Sequence, residues 1–139
     1  MRVLLDTCVI VDALQSRLPF CKEAHKIFLL VANQQFTGYI SAKSSTDIYY
    51  LIHKEKHSAK ESKNVLNRLF SIFDVLDKSG IDCRHAAVSE ITDFEDSVMI
   101  ETAIRTEMDC IVTRNKRDYK ESPIPVFTPS EFLKKFKEA

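Results

Sequence analysis

Only two glycines, Gly38 and Gly80, occur in the 139 residues, so the chain has no loop whose backbone amides cradle a phosphate and no dinucleotide fingerprint. Nucleotide-cofactor enzymes are excluded on that ground. The absence of a G-x-S-x-G elbow likewise argues against a serine hydrolase on an α/β frame. The four cysteines, Cys8, Cys21, Cys83 and Cys110, stand far apart with no C-x-x-C pair, which argues against a zinc site and a disulfide framework and for reduced, mostly buried thiols. An excess of either charge is also missing. Twenty basic residues balance twenty acidic ones, so no overall field draws the molecule to nucleic acid or to an anionic membrane, and any such contact must come from a local patch. The longest purely apolar run, Ile27 to Ala32, is far short of the roughly 20 residues that a membrane span needs. Asp6 and Asp12 interrupt the apolar residues of the N-terminus, where a signal peptide needs an unbroken segment, so the expected location is the cytoplasm.

What is present reads as one ordinary domain over residues 1–139. Hydrophobic residues make up 45% and charged residues 29%, with no repeat and no low-complexity tract, a globular composition. Arg2 to Leu5 is a short apolar run ending in Asp6-Thr7, residue types that cap a following helix. Val9, Ile10, Ala13 and Leu14 keep helical spacing, and Pro19 separates them from a second helix, about Phe20 to Asn33. Gly38 opens a strand, Tyr39 to Ser41, followed by helices over Ala42 to Lys54 and Ser58 to Leu69. Phe73 to Leu76 reads as a strand, Ile81 to Ser89 and Phe94 to Glu107 as helices, and Cys110 to Thr113 as a β-branched strand. Val126 and Phe127, between Pro125 and Pro129, make a last strand before a helix from Ser130 to Lys137. Short apolar strands alternating with helices imply parallel pairing with helices on both faces. The expected architecture is a three-layer α/β/α sandwich around a short parallel sheet with Rossmann-like topology, and ligands in such sheets collect beyond the carboxyl ends of the strands.

The acidic residues fall at that edge. Asp6 stands where the first strand stops, and Asp47 lies one to two turns into the helix after the second. Asp93 and Asp96 open the helix before the fourth strand, and their spacing of three sets them about 60° apart around its axis, one aimed inward and the other at the rim. The fourth strand ends in Thr113-Arg114-Asn115, with Asp118 close behind. Bare carboxylates about 4 Å apart repel by roughly 4 kcal/mol at an effective dielectric near 20, so a cluster of them calls for a cation. Oxygen donors without a partnering His or Cys suit magnesium or manganese rather than zinc. One or two such ions beside a phosphodiester acidify a water and neutralise the leaving oxygen, which is hydrolysis without a covalent intermediate. These residues also have plainer readings: Asp6 suits a helix cap, Asp93 and Glu95 are favoured at a helix start by the macrodipole, and Asp47 suits a solvated surface.

Leu4-Leu5-Asp6-Thr7, Arg17-Leu18-Pro19-Phe20, Asp93-Phe94-Glu95-Asp96-Ser97, Ile111-Val112-Thr113-Arg114-Asn115-Lys116-Arg117-Asp118-Tyr119 and the closing Pro125 to Leu133 together resemble a PIN domain, in particular the bacterial branch similar to the nuclease toxins of toxin–antitoxin pairs. The resemblance spans nearly the whole chain. It implies an endoribonuclease acting on single-stranded RNA, with Mg2+ or Mn2+ held by Asp6, Asp96 and Asp118, and with Asp47 as a further catalytic acid. Thr7, Asp93, Thr113 and Asn115 support them. It also implies a homodimer and an antitoxin protein as partner. Asp47 stands where many members carry Glu, and Asn115 where others carry Asp, so a second ion is expected to bind weakly or only with substrate. Arg114, Lys116 and Arg117 surround this edge and suit phosphate contacts, which add affinity rather than sequence discrimination.

The remaining patterns are weaker. Lys54 to Lys63 mixes charge at helical spacing, as solvated faces do, though an RNA clamp is the alternative. His53 and His57 flank Lys54-Glu55-Lys56, which is not a zinc-protease order, and are expected to be exposed. Tyr49, Tyr50 and Phe28 are expected in the core, although Tyr49 to Ile52 is apolar over more arc than one buried face needs and suits an interface. A catalytically degenerate module that binds nucleic acid or a protein is the alternative to an enzyme. A receiver-like signalling domain fits less well, because Asp77 is poorly placed as a phosphate acceptor and nothing near Val126 supplies the required Lys.

Overall fold

Residues 1–138 are described by the structure, a computed structural model. Its centre is β1 (Arg2–Leu5), whose Val3, Leu4 and Leu5 are all fully buried. A strand covered on both faces has no polar side to alternate with, which is why the sequence reads as a continuous apolar run. β2 (Thr37–Ser41) and β3 (Asp74–Leu76) lie to one side of β1, and β4 (Cys110–Val112) and β5 (Val126–Phe127) to the other, in the order β3-β2-β1-β4-β5. Every pairing is parallel.

Successive side chains of β1 feed two separate cores. Val3 and Leu5 join Ile40 and Val112 beneath α1 (Thr7–Leu14), α2 (Cys21–Ala32), α3 (Ala42–Lys56), α4 (Ala59–Ile72) and α7 (Pro129–Glu138). Leu4 and Ile111 instead pack with Ile100 and Ala103 of α6 (Phe94–Arg105), and α5 (Gly80–Ala87) lies against α6. The result is the expected three-layer α/β/α arrangement. Buried Asp82 fastens α5 to α6: Arg105 donates from Nε at 2.9 Å and Thr102 from Oγ1 at 3.1 Å. Burial opposes the charge on Asp82, but these hydrogen bonds outweigh it and hold the carboxyl below its ordinary range.

Most element boundaries fall within a few residues of their sequence-based positions, with two informative differences. Gly38 does not open β2 but lies inside it, because an added Cβ would meet the Phe73 ring at 2.8 Å and Val31 Cγ2 at 2.9 Å. The strand needs a residue without a side chain where α2 and the end of α4 press on it. Gly38→Ala is therefore expected to cost about 1–3 kcal/mol through overpacking, read as a lower urea midpoint, and an unchanged midpoint would refute the close approach. The second difference is a 3-10 turn, Lys116–Tyr119, that sequence reasoning missed. Four residues, three of them charged, leave no periodicity to read.

The plainer expectations are also met in part. His53 and His57 are exposed, as is most of Lys54 to Lys63, and all four cysteines are free, with Cys21 and Cys110 buried. Phe28 packs edge-on against Phe73 in the core, whereas Tyr50 is 66% exposed, a correction to its core placement. Among the described residues no helix is long and apolar enough to cross a membrane.

Candidate metal centre

The strand order reverses at β1: the chain builds outward through β2 and β3, then returns to place β4 on β1's other edge. A crevice opens at such a switch point beyond the strand ends. The register pairs Leu5 with Val112, so Asp6 and Thr113 leave the sheet side by side. Asp6 caps α1, its Oδ1 accepting from the Thr7 amide at 2.8 Å. Thr113 is fully buried, and its hydroxyl donates to Asp6 Oδ2 at 2.7 Å while accepting from the Asn115 amide at 3.0 Å. Thr7 extends the arrangement toward α3, its hydroxyl donating to Ser44 Oγ at 2.7 Å. Asp6 is thus both a cap and a carboxylate fixed at the mouth of the crevice.

Two more groups surround Asp6 that the sequence did not single out. The Tyr119 hydroxyl, buried at the end of the 3-10 turn, donates to Asp6 Oδ2 at 3.4 Å, and Cys8 Sγ lies 3.9 Å from the same oxygen. The only signal in the sequence was adjacency: Tyr119 follows Asp118 directly, and Cys8 follows the capping pair. Burial pushes the Asp6 carboxyl above its ordinary pKa despite four hydrogen bonds that favour its charged form. Burial and the charges of Asp6 and Asp96 push the Tyr119 phenol far above its usual range, so it stays a hydrogen-bond donor.

From the opposite wall, the first turn of α6 presents Asp96. Asp93 caps that helix by accepting from the Asp96 amide at 2.9 Å, so the acid at the rim holds the start of the helix while its neighbour faces inward. Burial, then the negative charges of Asp93, Asp6 and Asp118, raise the Asp96 carboxyl to about 6. Asp93, Asp96, Asp118 and Arg117 line an open cavity of about 610 Å³ together with Glu90 and Lys120. The donors are carboxylate oxygens, and their mutual repulsion is of the kind a hard cation relieves. In their present rotamers, no three His, Cys, Asp or Glu side chains among the described residues stand close enough to share an ion. Asp118 and Asn115 are exposed on the turn, with open solvent around them.

Other residues expected here are engaged elsewhere. Asp47 accepts from Lys43 Nζ at 2.8 Å, and the same ammonium contacts Glu95. Burial works against the charge on Lys43, but those hydrogen bonds outweigh it and raise its pKa. Arg114, expected to meet phosphate, instead forks onto Asp12, with Nε 2.7 Å from Oδ2 and Nη2 3.1 Å from Oδ1, and its guanidinium lies 4.2 Å from the Phe20 ring centre. Lys116 pairs with Glu131 at 3.1 Å. Of the three basic residues, Arg117 lines the acidic cavity.

Solved structures share this architecture. Similar folds include VapBC2 from Rickettsia felis, solved with a DNA fragment from its promoter, at a TM-score of 0.67 and 19% identity over 91% of this chain and 97% of that one. A toxin-antitoxin complex from Klebsiella pneumoniae gives 0.68 and 20% over 91% and 97%. FitAcB from Neisseria gonorrhoeae gives 0.67 and 20% over 92% and 98%. No curated protein sequence matches the chain. The sequence model of the PIN domain matches residues 2–117, most of the chain, from β1 past Asn115 into the first half of the 3-10 turn: the protein belongs to the PIN domain family.

Proposed function

We propose that this protein is a divalent-metal-dependent endoribonuclease that hydrolyses phosphodiester bonds of single-stranded RNA. The observation that carries the reading is the gathering of Asp6, Asp93, Asp96 and Asp118 at the switch point, where burial and then the charges of its three neighbours raise Asp96 to about 6. Carboxylates whose repulsion costs the fold free energy make sense where a cation is to be held. Asp6, Asp96 and Asp118 would hold Mg2+ or Mn2+, with Asn115 beside them and Asp47 at the α3 side. When bound, the ion supplies charge neutralisation on the phosphodiester and acidification of a water.

The chain's own residues do the rest. Thr7, Thr113 and Tyr119 fix the Asp6 carboxylate before any substrate arrives, which spares reorganisation during reaction. Asp93 orients the first turn of α6 and with it Asp96. Arg117, at the rim of the acidic cavity, would meet a backbone phosphate, with Lys116 released from Glu131 as a second contact. The open cavity suits a single strand whose bases are splayed out.

The likeness to the toxin-antitoxin complex from Klebsiella pneumoniae supports a role as the toxin of such a pair, with an antitoxin protein as partner; action in the cytoplasm and a homodimer as the resting assembly complete the proposal. The Lys43–Asp47 contact and the neutral Asn115 favour a second reading, a degenerate module that binds RNA without cutting it. Purified protein incubated with unstructured and structured RNA decides between them. Cleavage of the unstructured RNA in Mn2+, abolished by EDTA and restored by excess Mn2+, is expected. Retention of intact RNA in a mobility-shift assay, with no cleavage in Mg2+ or Mn2+, would establish the binding module instead.

A further inference from the structure

We propose that Lys43 acts as a built-in cation of the crevice, keeping Asp47 from serving as a metal ligand, so that the protein takes one divalent ion, at Asp6 and Asp96, rather than two. The inference rests on the metal-dependent reading above. Lys43 sits in the first turn of α3 and Asp47 one turn further on, with the ammonium 2.8 Å from Asp47 Oδ2. Helical spacing alone is a weak reason for this contact, since Lys on the N-terminal side of the acid is the poorer order for an i,i+4 pair. What holds the ammonium is a second carboxylate from another element: it also contacts Glu95, in the first turn of α6 and next to Asp96 in sequence. One positive charge therefore bridges the two helices that bring Asp47 and Asp96 to the sheet edge.

A second ion on the α3 side would meet few free negative charges. The Asp47 carboxylate is already balanced by Lys43, and Asn115, beyond Thr113, is an amide with no charge to offer. Divalent ions bind where several carboxylates lack a counter-charge, and that condition holds around Asp96, with Asp93, Asp6 and Asp118 as its neighbours. It does not hold around Asp47. The Lys43 and Asp47 side chains are 35% and 41% exposed, so the ion pair lies outside the core and can be removed by substitution without harm to it.

The test counts ions. Mn2+ binding to the full chain at pH 7.5, followed by calorimetry and by the electron paramagnetic signal of free Mn2+, is expected to give one site in the native protein and none in Asp96→Asn. Lys43→Met is expected to gain a second site. Lys43→Arg, which keeps the charge, is expected to keep a single one. Lys78→Met is the control for a diffuse field, since exposed Lys78 lines the same small cavity as Lys43, and it too is expected to bind one ion. Two ions in the native chain, or one in Lys43→Met with an unchanged circular dichroism spectrum, would overturn the inference while leaving the metal-dependent reading intact. A second ion in Lys78→Met would also overturn it, by showing that loss of any nearby charge suffices. No ion in the native chain would remove both this inference and the reading beneath it.

Discussion

Asp96→Asn is expected to lower metal-dependent RNA cleavage by about a thousandfold and, in the same protein without metal, to raise the melting temperature. The first effect follows from the loss of a charged ligand that holds the ion against the phosphodiester, a contribution of several kcal/mol to the transition state. The second follows from the burial of Asp96 and then from its neighbours. Asp96 titrates at about 6 in the folded chain against an ordinary 3.8, so between those values the native state binds more protons than the unfolded one, and the carboxylate destabilises the fold increasingly as pH rises. Above about pH 7 the penalty is complete, and below about pH 3 it is absent because the group is protonated in both states. At this partly exposed position solvent screening reduces it to the order of 1 kcal/mol, or about 3 °C in a domain of this size. Calorimetry in EDTA should show the gain at pH 7.5 and its disappearance by about pH 3. A variant less stable than the native protein at pH 7.5 would show that the acids do not crowd one another, and retained cleavage would remove Asp96 from the site.

Arg114→Met should be among the most destabilising single changes outside the apolar core, costing about 3 kcal/mol. Asp12 is 1% exposed and receives both arms of the guanidinium, and removing one member of such a pair leaves a charge stranded in a low dielectric. The corresponding change at both positions, Asp12→Ala with Arg114→Met, removes both charges and should be less damaging than Arg114→Met alone, a non-additivity that a double-mutant cycle in urea measures directly. Additive costs, or a loss under 1 kcal/mol for Arg114→Met, would mean that the pair is a passive contact. Because Arg114 lies between Thr113 and the turn carrying Asp118, the same variant should also weaken Mn2+ binding.

Much of this was readable from local features. The apolar run ending at Asp6-Thr7 marked both a strand end and a cap, and the three-residue spacing of Asp93 and Asp96 set one acid inward and the other at the rim, without saying that the rim acid caps the helix. The strand order was not readable, since nothing in Cys110 to Val112 states that it lies beside β1 rather than beside β3. That order is what gives Asp6 its partners in Thr113 and Tyr119. Arg114 was misplaced for the same reason: its partner is 102 residues away, and an arginine next to an acidic edge looks like a phosphate contact until that partner is known. Lys43 was different. Its spacing from Asp47 was in plain view, but its significance depends on Glu95, which only the packing of α3 and α6 brings near.

The juxtaposition of β1 with β4 also sets a schedule. Asp6 is translated 107 residues before Thr113, and Asp118 and Tyr119 come later still. Until β4 docks, the nascent polypeptide holds an isolated aspartate and no neighbouring acids from the far half of the molecule, so an unfinished copy released early by a stalled ribosome carries no assembled centre.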